Sequence, residues 1–330
     1  MFDYSGYSAE RIEKLSNLNL AYRGLNKRVY WSSENYSIGP ALRSYAGEFP
    51  SHLPLYIYSH HGVSPDPRPR PHELKTTAEA MVVWNSDSLE HFRREMSIPC
   101  YQVTMPYVWY RREKGLNQVE GAKGTLVMPI HSTPQVDVVF DVGKYIDEMM
   151  ALPSEYHPIC FCLGAADIAK GLHRAFISRG VPVYTAGHGE DVRFIDRLYG
   201  LIRNFKYTMS NFAGSSAYYS VEMGIPFSLY GDLPELVNHT NPNREKGKVD
   251  LVGDPYVLEA QRIFKGLNTV ISREQDEYTK KVLGIGEGLS REEFNDLLWR
   301  AYKKRGNRIL DTISAARRKI KYWFRGVCPS

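Results

Sequence analysis

The residues best suited to chemistry in this chain are histidines and small hydroxyl residues, each standing just beyond an apolar run. His60 and His61 follow the run 53–59, His131 with Ser132 and Thr133 follows 125–130, His188 with Gly189 follows 181–185, and Ser210 with Asn211 follows 207–209. Four of the ten histidines occupy such places. An imidazole titrates near neutrality, so it can take a proton from a hydroxyl or present one to a leaving group. Any one of the four, taken singly, reads as a satisfied structural histidine; four in equivalent positions point to a site. No pair has the HxH or HxxxH spacing of a metal site, and no carboxylate cluster accompanies them.

The second chemical feature lies within 206–231. It reads as a strand at 207–209, a turn of small residues, a helix, and a further strand entered through Gly224, Ile225 and Pro226. Gly214 lets the backbone turn tightly, and Ser215 and Ser216 can cap the helix. The uncovered N–H groups and positive dipole end of such a helix suit a phosphate. An ordinary βαβ turn with a serine cap has the same appearance, so the expectation of a nucleotide or other phosphorylated ligand needs support from elsewhere.

Elements that would position these residues alternate along the chain. Strands are expected at 28–31, 53–59, 80–85 and 99–104, with helices at 39–46 and 88–96. The proline-rich stretch 64–73 between them cannot be regular structure. A polar, charged segment at 111–124 reads as a hinge. Beyond it come strands at 125–130, 159–163 and 181–185, alternating with helices at 142–150, 168–179 and 194–203; residues 254–330 read as mostly helical. Such alternation predicts an α/β fold: parallel sheets flanked by helices, in two units, 1–120 and 121–330, with a helical C-terminal extension. Ligands of open α/β sheets lie beyond the carboxyl ends of the strands, where the histidines fall.

The totals are those of an ordinary globular chain: 330 residues, 43% hydrophobic, 24% charged, net charge +5. No apolar run approaches the roughly 18 residues that span a bilayer. The N-terminus has neither the basic start nor the apolar core of a secretory signal. Cys100, Cys160, Cys162 and Cys328 are too few and scattered for a disulfide framework. These features point to the reducing cytosol. Residues 301–330 carry nine Lys or Arg against the single acid Asp311, with apolar residues at mostly helical spacing. That suits either a solvated basic face or an anionic membrane surface on the inner side of the membrane. No nucleic-acid motif accompanies the charge.

Strand, small-residue turn with Gly214 and Ser215, helix, then Gly224-x-Pro226 and a strand resembles the donor-binding segment of GT-B glycosyltransferases. PIHST at 129–133 resembles their His-bearing loop opening the C-terminal domain, and YSHHG at 58–62 resembles the strand that delivers a catalytic base. The overall look is of bacterial capsule or lipopolysaccharide transferases. The resemblance implies two Rossmann-like domains facing a central cleft: an N-terminal acceptor domain and a C-terminal nucleotide-sugar donor domain. Many retaining members hold the donor ribose with a glutamate five residues before the glycine of Gly-x-Pro; here that position is Tyr219, which leaves the donor nucleotide open.

The implied reaction is sugar transfer from a nucleotide to the hydroxyl of a glycan or lipid-linked acceptor, independent of metal and of any further cofactor. His60 or His61 would act as base, and His61 is favoured because Gly62 allows a sharp turn after it. Ser210, Asn211, Gly214, Ser215, Ser216 and Tyr219 would hold the phosphates, with His131, Ser132, Thr133, His188, Gly189 and Arg193 assisting. Competing readings are a nucleotide-sugar epimerase or polyol-phosphate transferase of the same architecture, and a non-catalytic nucleotide- or lipid-binding partner at the membrane. A Rossmann dehydrogenase is disfavoured, since no G-x-G-x-x-G follows the first strand.

Overall fold

The computed structural model describes residues 2–24, 28–242, 246–250 and 253–306. Its strands are β1 (Ile57–Ser59), β2 (Ala80–Val83), β3 (Cys100–Gln102), β4 (Thr125–Val127), β5 (Val136–Val139), β6 (Ile159–Cys162), β7 (Val183–Tyr184), β8 (Tyr207–Ser210), β9 (Phe227–Leu229), β10 (Glu235–Asn238) and β11 (Gly247–Val249). β1, β2 and β3 pair in that order as a parallel sheet. A second, five-stranded parallel sheet has the order β7-β6-β4-β8-β9. The fold is therefore α/β. β2, β4 and β8 are buried at every residue, as expected of parallel strands covered on both faces.

The order of the second sheet locates its ligand-binding edge. The chain starts in the middle at β4, runs outward through β6 and β7, then returns to the other side of β4 for β8 and β9. Strand order reverses between β4 and β8, and the loops leaving these two strands diverge there. They stay tied at their roots: the Met128 N–H donates to the Met209 carbonyl at 2.7 Å, and the Ile130 N–H donates to Asn211 Oδ1 at 3.0 Å.

Several helices begin where a polar side chain covers the first-turn amides. Asn85 caps Ser86–Glu95, Asp141 caps Val142–Met150, and a Ser272–Gln275 capping box starts Arg273–Leu283. The expected helix 168–179 is instead two short ones, Ala165–Ala169 and His173–Ser178, separated by Gly171 at φ 82°. The expected strand 28–31 is irregular chain entering a turn. β5, β10 and β11 form a small antiparallel sheet that the sequence reading did not anticipate.

An apolar core runs without a break from Ile57 and Val82 in the first sheet to Leu126, Tyr184 and Phe227 in the second. Tyr107 of helix Pro106–Glu113 and Tyr219 of helix Ser215–Glu222 meet inside it with ring centroids 4.9 Å apart. Beside them Arg111 grips Glu222 through two bonds of 2.6 and 2.7 Å. The aromatic stretch 107–112 is thus a joint between the sheets.

Both ends of the described chain cross over. Residues 2–22 pack on the second sheet: the Tyr7 N–H donates to the Val183 carbonyl at 2.8 Å and Ile12 is wholly buried. The C-terminal helices return to the first sheet, where Asn85 Nδ2 donates to the Val282 carbonyl and the Leu289 N–H to the Gln102 carbonyl. Lys304 and Arg305 lie 3.3 and 3.8 Å from the Glu79 carboxylate. The rest of the basic tail, 307–330, with its expected membrane-facing surface, lies outside the described residues. Among the described residues no helix is long and apolar enough to cross a membrane.

Candidate functional site

β1 ends at Ser59 and delivers His60 and His61, and the two point to different surroundings. His60 Nε2 lies 2.8 Å from Glu73 Oε1, and its ring packs edge-on against Phe92. Burial alone would raise the Glu73 carboxyl, but its bond to His60 and the positive charge around it hold it below its usual range. His60 is therefore committed to a nearly buried carboxylate.

His61 is exposed, yet protein closes around it. Tyr36 stacks on its ring at 5.6 Å, Trp31 meets it edge-on at 5.1 Å, and Ser32 Oγ lies 3.2 Å from Nδ1. Desolvation, reinforced by the charges of His60, Arg70 and His131, pushes its pKa down to about 4, with Glu73 opposing. The imidazole is neutral at pH 7 and has a lone pair to offer. The loop that follows His61 reaches the second sheet through Val63, whose N–H and carbonyl both bond Ser215 Oγ.

His131 is exposed, and its Nδ1 lies 2.9 Å from the Ser132 carbonyl. A carbonyl only accepts, so Nδ1 carries a proton. The backbone of Gly164 passes so close that a Cβ there would meet His131 Cβ at 2.7 Å. The buried Asp167 accepts the Ser132 N–H at 3.0 Å. Ser132 Oγ in turn accepts from the Val138 N–H, and Thr133 Oγ1 accepts from Gln135 and Val136, so these two hydroxyls shape the loop.

The switch point holds the small-residue turn. Ser210 and Asn211 are buried; Ser210 Oγ accepts the Phe212 N–H, and Asn211 Oδ1 accepts from Ile130. That leaves Asn211 Nδ2 buried with no acceptor, a state that calls for a partner. Gly214 starts the helix Ser215–Glu222 without any side-chain cap bond. Ser215 Oγ is engaged across the joint, accepting the Val63 N–H at 2.9 Å and donating to the Val63 carbonyl at 3.2 Å. Ser216 is half-buried in the first turn. Tyr219 is 4% exposed and packed among Tyr107 and Tyr199; the structure places it in the core, one turn below the expected phosphate position.

β7 leads to His188 and Gly189. His188 Nδ1 accepts the Glu190 N–H at 3.1 Å, and burial lowers its pKa. Gly189 donates no side chain but space: a Cβ there would meet Tyr36 Cε1 at 2.7 Å. Its carbonyl accepts the Tyr36 N–H. Arg193 points into solvent and forks onto Asp191, with bonds of 2.9 and 2.8 Å. Burial would raise the Asp191 carboxyl, but Arg193 and Arg197 hold it well below the carboxylate range.

Comparison with family models, curated proteins and solved structures finds no match for this chain. The geometry therefore has to speak for itself. It ties the loop after His61 to the Gly214–Ser216 helix start through Val63 and Ser215, and the root of the His131 loop to Asn211 through Ile130, with Gly189 behind Tyr36 forming a wall against His61. It does not bring His60, Arg193 or Tyr219 there. Among the described residues no group of three or more His, Cys, Asp or Glu could hold a metal ion.

Residues 33–39 read from the sequence either as a lining of the acceptor side or as a plain strand-to-helix loop; the sequence did not show that Trp31 and Tyr36 close on His61. Tyr36 and Ser37 have φ of 52° and 61°, a left-handed pair with no glycine. Such strain persists only where surroundings enforce it. Here the Ser37 hydroxyl bonds the Val192 carbonyl at 3.0 Å, and the carbonyl of Tyr36 takes the Tyr107 hydroxyl. Buried Glu34 and Arg43 pair at 2.7 Å beneath the turn. The sequence signal was a polar run, SSENYS, between Trp31 and Ile38.

Proposed function

We propose that this protein is a glycosyltransferase of GT-B architecture, transferring a sugar from a nucleotide-activated donor to a hydroxyl of a glycan or lipid-linked acceptor in surface polysaccharide synthesis. The observation that carries this reading is the position of His61: the loop that follows this imidazole of the first sheet is bonded, through Val63, to Ser215 at the uncapped helix start at the switch point of the second. Such an arrangement suits a reaction with a base on one side and an anionic leaving group on the other.

In this reading the donor phosphates rest against the amides of Ser215 and Ser216, with Asn211 Nδ2 as a further donor and His131 at the edge. The acceptor hydroxyl approaches from the β1 side and passes its proton to His61. A pKa of about 4 makes His61 a weak base, and the negative charge of a bound donor raises it toward the working range. Gly189 lets Tyr36 close in on the ring, and Gly62 lets Ser215 approach the loop that follows it.

The test is thermal-shift screening with UDP, GDP, CDP, CMP and dTDP, followed by product analysis with the matching nucleotide sugars. A nucleotide at about a hundred times its Kd stabilises the protein by roughly 2.7 kcal/mol. Absence of any shift, together with unchanged stability of every activated donor offered, would end the reading.

A further inference from the structure

We infer that Trp31 is the platform on which the acceptor's pyranose ring stacks. Three observations meet at this residue. Its indole is 53% exposed, unusual for the side chain with the most apolar area to hide. Its backbone is nonetheless fixed: the Trp31 carbonyl accepts the N–H groups of Glu34 at 3.1 Å and Asn35 at 2.9 Å, in a turn where Ser32, Ser33, Glu34 and Asn35 are all buried. The indole is therefore held out by a rigid base rather than left over from a loose loop. Finally, it lies edge-on to His61, 5.1 Å between ring centroids, beside the group assigned to take the acceptor's proton.

The chemistry of that position selects the occupant. The open face of an indole carries negative π density and attracts C–H groups with partial positive charge. A pyranose offers such C–H groups on its flat faces and hydroxyls around its rim. Stacked on Trp31, it presents a rim hydroxyl to His61. A nucleobase would also stack, but the phosphate-binding helix start belongs to the second sheet, and a base held on Trp31 would occupy the acceptor's approach to His61. The inference rests on the glycosyltransferase reading for its choice of acceptor, while the platform itself is testable alone.

The experiment follows the indole Nε1–H signals of the full chain, ¹⁵N-labelled, during titration with methyl glucopyranosides, galactopyranosides and mannopyranosides. The chain has five tryptophans, and Trp31→Phe assigns the relevant signal. At least one pyranoside should move the Trp31 signal and leave the other four in place. Read from the His61 ring signals, Trp31→Phe should keep saccharide binding, and Trp31→Ala should weaken it about tenfold, the size of one aromatic contact. The inference is overturned if no pyranoside moves the Trp31 signal, if Trp31→Ala binds as the parent does, or if a nucleoside monophosphate moves it and the sugars do not. Nucleotide-induced thermal shift is measured separately: a shift without saccharide on Trp31 leaves the transferase reading standing and removes the platform, and the reverse result does the opposite.

Discussion

Ser215 and Val63 close on each other through both of their polar groups: one hydroxyl oxygen accepts the Val63 N–H and donates to its carbonyl. The first residue of the helix Ser215–Glu222 is thus locked to the loop that follows His61. Replacing Ser215 by Ala removes both bonds, at about 0.5–1.5 kcal/mol each. The melting temperature should fall accordingly. Because the hydroxyl is already committed, nucleotide affinity relative to the intact protein should change little; a large loss would mean that the ligand uses Ser215 Oγ after opening this joint.

The two adjacent histidines should separate cleanly on substitution. His61→Asn should keep the fold and nucleotide binding but reduce transfer by about 10²–10⁴-fold, the usual contribution of a general base. His60→Ala leaves the Glu73 carboxylate, 4% exposed, without its principal partner and should cost about 1–3 kcal/mol or more. Calorimetry and turnover of both variants decide it: equal loss of turnover in stable proteins would contradict the division of roles.

Stability should fall on mild acidification. His61 titrates near 4 in the folded protein against an ordinary value of 6.5, and His188 is shifted in the same direction. The unfolded chain therefore binds more protons through this window, so stability is full above about pH 6.5 and is lost progressively as pH drops toward 4. Urea midpoints between pH 7 and 4 measure this slope, and His61→Asn should make it shallower.

Gly164→Ala tests the placement of His131. Gly164 has an ordinary φ of −71°, so alanine is no burden to the backbone itself. Its Cβ would sit 2.7 Å from His131 Cβ, forcing the loop aside at about 1–3 kcal/mol. Nucleotide-induced thermal shifts should shrink in this variant, while Gly200→Ala, whose new Cβ meets nothing within 4 Å, should leave them unchanged.

Much of the second sheet was legible because its strands are short apolar runs ending in glycine, serine or histidine. The helix expected at 142–150 is observed as Val142–Met150, and that at 194–203 as Phe194–Ile202. Strand order was not legible, since pairing of β4 with both β6 and β8 depends on contacts between distant segments. The antiparallel sheet escaped notice because β5 is only four residues and half-exposed, with its partner β10 about a hundred residues away. At the site, residue type alone could not separate His60 from His61. The difference lies in Glu73, which sits in a short helix, Pro71–Leu74, that begins inside the proline-rich stretch expected to be irregular, with Pro71 at its first turn where no amide bond is needed. Nor could it show that Tyr219 turns into the core, because helix Ser215–Glu222 is buried along most of its length and has no polar side to set a phase.

The exchange of chain ends between the two sheets bears on biosynthesis. The first sheet is made early, but Tyr45, Phe49 and the β3 edge stay uncovered until residues 283–302 have emerged from the ribosome. A nascent chain of some 250 residues would therefore carry an unfinished, sticky lobe, and cutting the gene between the sheets would yield two fragments that each lack a wall supplied by the other.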